Sequence, residues 1–170
     1  MIESFPESAI RLAVFGAGHV GRALVQIMAQ CDARIDWIDS RPELFPEEVA
    51  GNATTISLSD PADHIQFLTD THRCIDVTHD HALDNRLLYI LLTETDIDYI
   101  GLIGSETKAK RFFNRLDKDG VSLDDQRRCR CPIGLPEVRG KLPMEIAVSI
   151  AAEVLSLEPG ARMGESTSCV

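Results

Sequence analysis

The chain has 170 residues, 44% hydrophobic and 26% charged, with a formal net charge of −10. Those figures suit one globular domain with a full-sized core and exclude a generic nucleic-acid binder, which needs a basic surface. No apolar run approaches the ~20 residues that span a bilayer, and Met1 to Ser8 lack the basic and apolar regions of a secretory leader, so the expected compartment is the cytoplasm. An anionic ligand must then be held by local geometry: backbone N–H groups, helix N-termini and a few placed cations.

Leu12–Phe15 is a short continuous apolar run, the pattern of a strand buried on both faces. It leads into Gly16-Ala17-Gly18-His19-Val20-Gly21, a GxGxxG loop. Val20, Ala23, Leu24, Ile27 and Met28 then recur at helical spacing. In that context Gly16 serves the tight turn, Gly18 the approach of a phosphate to the backbone and Gly21 close helix–strand packing. The whole loop, including Ala17, His19 and Val20, reads as a phosphate cradle. Arg34–Asp39 reads as the second strand. At its end Asp39 stands where an acid commonly accepts a ribose hydroxyl. Arg41, beyond Ser40, stands where a cation could meet an added phosphate.

Arg41 to Gly51, with two prolines, reads as a loop, Ala53–Leu58 as a weak third strand, and Asp60-Pro61 as a helix opening. The fourth strand, Cys74–Val77, ends at Thr78-His79-Asp80-His81. Open α/β sheets bind ligands outside the carboxyl ends of their strands, which makes Thr78, His79 and His81 candidate cofactor contacts. Two histidines around an aspartate also invite a metal reading, but no third and fourth ligand can be pointed to, and Asp80 equally suits a helix N-cap. Leu83, Leu87, Leu88, Leu91 and Leu92 line the next helix.

Asp98–Ile103 is the fifth strand. Gly104-Ser105 follows, with Ser105 the N-cap of a helix through Leu116. The free N–H groups of that start and Lys108 on its first turn form a second candidate anion site. Arg127, Arg128, Arg130, Arg139 and Lys141 flank Pro132-Ile133-Gly134-Leu135-Pro136, a basic loop that could cover a polyanionic ligand. Pro143 opens a last helix whose buried stripe is Ile146, Ala147, Ile150, Ala151, Val154 and Leu155; residues 158–170 lack periodicity and read as a flexible tail. The alternation of strand and helix predicts an α/β fold: a Rossmann-like, doubly wound, mainly parallel sheet in three α/β/α layers, forming one domain over residues 1–157.

Five cysteines at irregular spacing, with no CxxC pair, argue against a zinc site or redox dithiol. Cys31 and Cys74 read as small core residues. Cys129 and Cys131 are reduced thiols or sulfur-handling groups beside a cofactor. No nucleophile stands beside an evident base, so no catalytic residue is assigned.

Together the motifs resemble a known family. Phe15-Gly16-Ala17-Gly18-His19-Val20-Gly21, Asp39-Ser40-Arg41, Thr78-His79-Asp80-His81, Tyr99 to Ser105, Pro132-Ile133-Gly134-Leu135 and Pro143 to Glu153 occur in the order found in the Rossmann domain of the XdhC/CoxI accessory factors of xanthine dehydrogenase and related molybdenum hydroxylases. The resemblance covers roughly residues 10 to 156. It implies a protein that binds molybdenum cofactor (molybdopterin, in mono- or dinucleotide form), supports its sulfuration and inserts it into the apo-hydroxylase. Such a protein is a delivery factor rather than an enzyme with turnover. The Gly16–Gly21 loop and the Ser105 helix start would hold phosphate, Thr78, His79 and His81 would line the cleft, and Pro132 to Leu135 would form a loop near it. Implied partners are the apo-hydroxylase, a cysteine desulfurase and a second copy in a homodimer. Typical members carry a further N-terminal domain, whereas this chain begins almost at the first strand. Many also carry an acidic stretch where this chain reads Pro136 to Lys141.

Two other functions compete. An NAD(P)-dependent oxidoreductase would use the glycine loop and Asp39, with His79 or His81 exchanging a proton near the nicotinamide. A nucleotide-sensing regulatory module would use the basic loop to meet a partner.

Overall fold

The computed structural model describes residues 10–157; the expectations for the first eight residues, the 158–170 tail and Cys169 lie outside them. Six strands form one parallel sheet: β1 (Ile10–Phe15), β2 (Ala33–Asp39), β3 (Ala53–Ser57), β4 (His72–Asp76), β5 (Tyr99–Leu102) and β6 (Cys129–Arg130), in the order β3-β2-β1-β4-β5-β6. This is the doubly wound arrangement of dinucleotide-binding domains, with its switch point between β1 and β4. The helices are α1 (His19–Met28), α2 (His81–Glu94), α3 (Glu106–Lys118), α4 (Leu123–Gln126) and α5 (Pro143–Ser156), with 3₁₀ turns at Pro42–Leu44 and Pro61–Phe67.

Side chains alternate across the sheet, so each strand feeds two cores. Leu12, Val14, Ile35, Trp37, Ile75 and Val77 pack with Val20, Leu24 and Met28 of α1 and Ile150 and Val154 of α5. Ala13, Phe15, Ile38, Cys74, Ile100 and Leu102 pack on the other side with Leu87 and Leu91 of α2 and Phe112 and Leu116 of α3. Arg73 of β4 reaches the end of α5 and donates to the carbonyls of Val154 at 2.6 Å and Leu157 at 2.9 Å. These are the orphan acceptors a helix C-terminus leaves.

Three expectations change. Residues 61–67 wind as a 3₁₀ turn after Asp60, whose carboxylate accepts from the Ala62 N–H. Leu155 is exposed rather than part of the α5 stripe. Ala147, Ile150, Ala151 and Val154 complete the inward face, and a step of ~100° carries the next residue off it. The basic cluster is not one patch. Arg128 donates to the carbonyls of Thr95, Ile97 and Leu92 and so closes the end of α2, Arg127 pairs with Asp124, and Arg130 with Glu153. Three of the five cations thus satisfy local carbonyls and carboxylates, while Arg139 and Lys141 stand exposed. Among the described residues no helix is long and apolar enough to cross a membrane.

Candidate functional site

The Gly16–Gly21 loop leaves β1 and meets the end of β4 at the switch point. Gly16 has φ +114°, and a Cβ there would lie 2.9 Å from the Val77 carbonyl carbon and oxygen. Gly21 is tighter still, since its Cβ would stand 2.0 Å from the Gly16 carbonyl oxygen. That same oxygen accepts from the Trp37 indole N–H at 3.0 Å. Trp37, unassigned in the sequence, thus braces the loop from β2. Gly18 differs from both. A Cβ there would meet only the His79 imidazole, 3.4 Å from Nε2. Gly16 and Gly21 therefore serve the fold, while Gly18 keeps the space below His79 open.

The start of α1 brings no side chain to its own N–H groups. Its N-cap is Gly18, whereas Asp80 caps α2, accepting from Ala82 at 2.9 Å and Leu83 at 3.2 Å, and Ser105 caps α3, accepting from Lys108 N–H at 3.2 Å. A bare first turn, carrying the positive end of the helix dipole, is what an anionic ligand needs. His19 is exposed beside it, and Val20 turns into the core.

Asp39 is buried and ties the loop down. One carboxylate oxygen accepts from the Ala17 N–H at 2.7 Å, and the two together take a bidentate pair from Arg41, Nε and Nη2 both at 2.9 Å. The backbone N–H of Arg41 adds a fourth bond to the carboxylate at 2.9 Å. The structure therefore shows Asp39 and Arg41 engaged with each other and the loop; Ser40 is exposed between them. Burial alone would raise the Asp39 carboxyl, but the bonds from Arg41 and Ala17 outweigh it and hold the group below its ordinary range. The stability this contributes is present above the unfolded carboxyl value near ~4 and is lost as pH falls through the folded value. Asp39→Asn should cost about 1 kcal/mol at neutral pH, modest because Arg41 is half exposed. Urea denaturation at neutral and acid pH should show the difference from wild type shrinking as pH falls; a constant difference would refute this assignment.

On the other side of the crevice stand the residues after β4. His79 and His81 are both exposed, and Thr78 is buried, donating its hydroxyl to Asp84 of α2. Lys108 does not face an open anion site: its ammonium donates to Asp84 at 2.8 Å and to the Ile103 carbonyl at 3.2 Å. Gly104 makes room for that lysine, since a Cβ would lie 2.9 Å from Lys108 Cδ. Asp84 carries the signal that could have revealed it. It stands at helical spacing with Leu87, Leu88 and Leu91, a charged residue on the apolar face. Among the described residues no three His, Cys, Asp or Glu side chains gather to hold a metal.

The Pro132–Leu135 loop is fastened to α5. Gly134, at φ +107°, donates its N–H to Glu153 at 2.6 Å, and Ser149 donates to the Leu135 carbonyl at 3.1 Å. Glu153 is buried and also accepts from the Tyr99 hydroxyl at 2.8 Å. Pro132 is exposed, and Ile133 fills the space over Gly101, where a Cβ would come within 2.1 Å of its Cδ1. Burial pushes the Cys129 thiol far up and the Cys131 thiol to about 11, so both are protonated at neutral pH. Cys74 is fully buried, as expected of a core residue, and Cys31 only partly. An open hollow of about 670 Å³ between residues 62–70 and α2, with Ile65, Leu68 and Ile90 on its walls, lies apart from this crevice.

The family model of the XdhC Rossmann domain matches residues 12–154. An uncharacterised Escherichia coli protein, YqeB, is 30% identical over 165 residues, which cover 91% of this chain and 28% of that protein. A Bacillus subtilis protein named as a probable xanthine dehydrogenase subunit is 27% identical over 150 residues, 85% of this chain and 42% of that protein. Among solved structures, a xanthine dehydrogenase from Bacillus halodurans superposes with a TM-score of 0.72 at 27% identity, covering 86% of this chain and 42% of that one. The chain spans less than half the length of each of these relatives.

Proposed function

The chain belongs to the XdhC Rossmann-domain family, and on that premise we propose that it is an accessory protein of a xanthine dehydrogenase-type hydroxylase, binding molybdenum cofactor and supporting its sulfuration and insertion. The names of the Bacillus relatives support the hydroxylase connection. The observation that carries the cofactor reading is the uncapped start of α1 below the Gly18–His79 opening. Every variant of the cofactor bears a phosphate, and this is the helix start in the crevice that no side chain of its own occupies.

The residues present fit such a group. Gly18, His19 and the N–H groups of the first turn of α1 would hold its phosphate, with Ser105 at the start of α3 and the exposed His79 and His81 bordering the rest. Bound there, the cofactor would supply the metal–dithiolene chemistry, and the protein's task would be to bind, orient and hand over. Asp39 and Trp37 keep the loop in its binding shape through Ala17 N–H and the Gly16 carbonyl. Cys129 and Cys131, both held as neutral thiols, are poor nucleophiles at neutral pH. Sulfur would therefore be delivered by a partner such as a cysteine desulfurase.

The test is a titration of the purified chain with molybdenum cofactor, NADH and NADPH side by side, repeated with Gly18→Asp. The variant places bulk and negative charge in the phosphate space without touching Gly16 or Gly21. Wild type should bind the pterin and the variant should lose at least a hundredfold in affinity while keeping its melting temperature. Binding of NAD(P)H alone would replace this reading with the oxidoreductase one.

A further inference from the structure

Below the crevice, on the sheet face that carries α2 and α3, Asp76, Thr78 and Asp84 are buried together beside the partly buried Lys108. Asp84 is fully buried and accepts from the Thr78 hydroxyl and from Lys108 Nζ. Asp76, at the end of β4, is 3% exposed. Its Oδ1 accepts from the Thr78 N–H at 3.0 Å, and its Oδ2 is the one buried side-chain nitrogen or oxygen among the described residues that lacks a partner. Two carboxyls thus face one ammonium, which bonds Asp84 and acts on Asp76 only through space. Were both ionised, one buried negative charge would stand uncompensated, and the second Asp76 oxygen would be an acceptor without a donor.

A single proton resolves both faults. On Asp76 Oδ2 it turns the orphaned acceptor into a donor to the Asp84 carboxylate, its side-chain hydrogen-bond neighbour, and leaves Asp84 as the one anion facing Lys108. We propose that Asp76 and Asp84 share one proton at neutral pH, and that Lys108 is the counter-ion of this pair rather than a cation for the ligand. The second half rests on the crevice reading above; the first does not.

The surroundings agree. Burial, and then the charge of Asp84, push Asp76 well above the usual carboxylate range, with the Thr78 N–H and Lys108 pulling the other way. From α2, His81 reaches to 3.8 Å of Asp84 but is 77% exposed. From α3, Phe112 lies under the Lys108 ammonium, 5.3 Å from ring centre. Cys74 on the same strand, Cys129 of β6 and Cys131 after it are kept protonated by burial, so none of them adds a charge to the pair. Lys108 is therefore the cation that balances the site. The glycine at 104, which clears space for its stem, belongs to the same device.

Isotope-edited infrared spectra of the full chain, unliganded at neutral pH, test the pair. Wild type should show the carbonyl stretch of a protonated buried carboxylic acid, and Asp76→Asn should lack it. Its absence from wild type would overturn the proposal. Denaturation across pH is the second readout. The folded state binds the proton more tightly than the unfolded state. The stability contributed is therefore complete below ~4 and is lost as pH rises through the folded titration point. Across that window the unfolding constant of wild type relative to Asp76→Asn should rise about tenfold per pH unit, and a flat ratio would overturn the proposal. If Asp76→Asn does not fold, ¹³C carboxyl titration of wild type reads the same proton. Lys108→Met should shift this pH profile yet hold molybdenum cofactor within twofold of wild-type affinity. A tenfold loss of affinity with an unmoved profile would place Lys108 on the ligand. Failure of wild type to bind the cofactor would sink the crevice reading alone, since the infrared band is read without ligand.

Discussion

Gly21→Ala is expected to unfold most of the molecule at temperatures where the wild type is native, a loss of about 3–5 kcal/mol. The new Cβ would sit 2.0 Å from the Gly16 carbonyl oxygen and 3.3 Å from Val77 Cγ2. Neither neighbour can yield cheaply. The Gly16 oxygen is fixed by the Trp37 indole, and its N–H is bonded to Ile38 across the sheet. To relieve the contact α1 must lift from β1, uncovering Val20, Leu24 and Met28, which are buried in the core shared with α5. Gly18→Ala, three residues earlier in the same motif, should change stability by no more than ~0.5 kcal/mol. Its φ of −70° suits any L residue, and its only near neighbour is the end of the exposed His79 side chain. A small entropic gain in the unfolded chain offsets the weaker N-cap. Thermal denaturation of the two alanine variants checks the contrast directly. Equal melting temperatures would mean that the close approach of α1 to its own loop is not what holds this corner of the fold.

The same contrast marks how far the sequence can be read. The β1–loop–α1 unit was legible because a strand buried on both faces and a helix with one apolar stripe impose different periods on adjacent residues, and the glycines fall at the change. The N-caps Asp80 and Ser105 were legible because a cap is a local bond, two or three residues long. Strand β6 was not, because Cys129–Arg130 is too short to display a period. The polar core was the hardest part. Lys108 meets Asp84 from 24 residues away and Tyr99 meets Glu153 from 54, and neither pairing leaves a mark on spacing. Their signature is indirect. Asp84 and Glu153 each fall on the apolar face of a helix, a position that makes sense only when something across the core answers the charge. Arg128 misled for the complementary reason: as one of several neighbouring cations it suggests a ligand, yet it is spent on the carbonyls that end α2.

Glu153→Ala should destabilise the protein by about 3 kcal/mol and free the Pro132–Leu135 loop, whereas Glu153→Gln should cost about 1 kcal/mol. The difference follows from donors and acceptors. Glu153 accepts from the Gly134 N–H through one oxygen and from the Tyr99 hydroxyl through the other, with Arg130 Nε at 3.4 Å as a partly exposed third partner. Alanine leaves the buried Gly134 N–H and Tyr99 hydroxyl without partners, and each carries the penalty of a desolvated polar group. Glutamine can keep its carbonyl on Gly134 and turn its amide toward Tyr99, because a hydroxyl can accept as readily as it donates. What glutamine cannot replace is the charge facing Arg130, and solvent screens that pair. The acid also pushes Tyr99 upward, after burial itself, so the phenol stays protonated in either background. Urea denaturation gives the two losses, and hydrogen exchange at Gly134 locates them. If alanine and glutamine cost the same, the loop is held by the Ser149 contact and the packing of Ile133 over Gly101 rather than by the buried carboxylate. Should the order hold, α5 is more than a lid on the sheet: its one buried acid joins the loop after β6 to the start of β5.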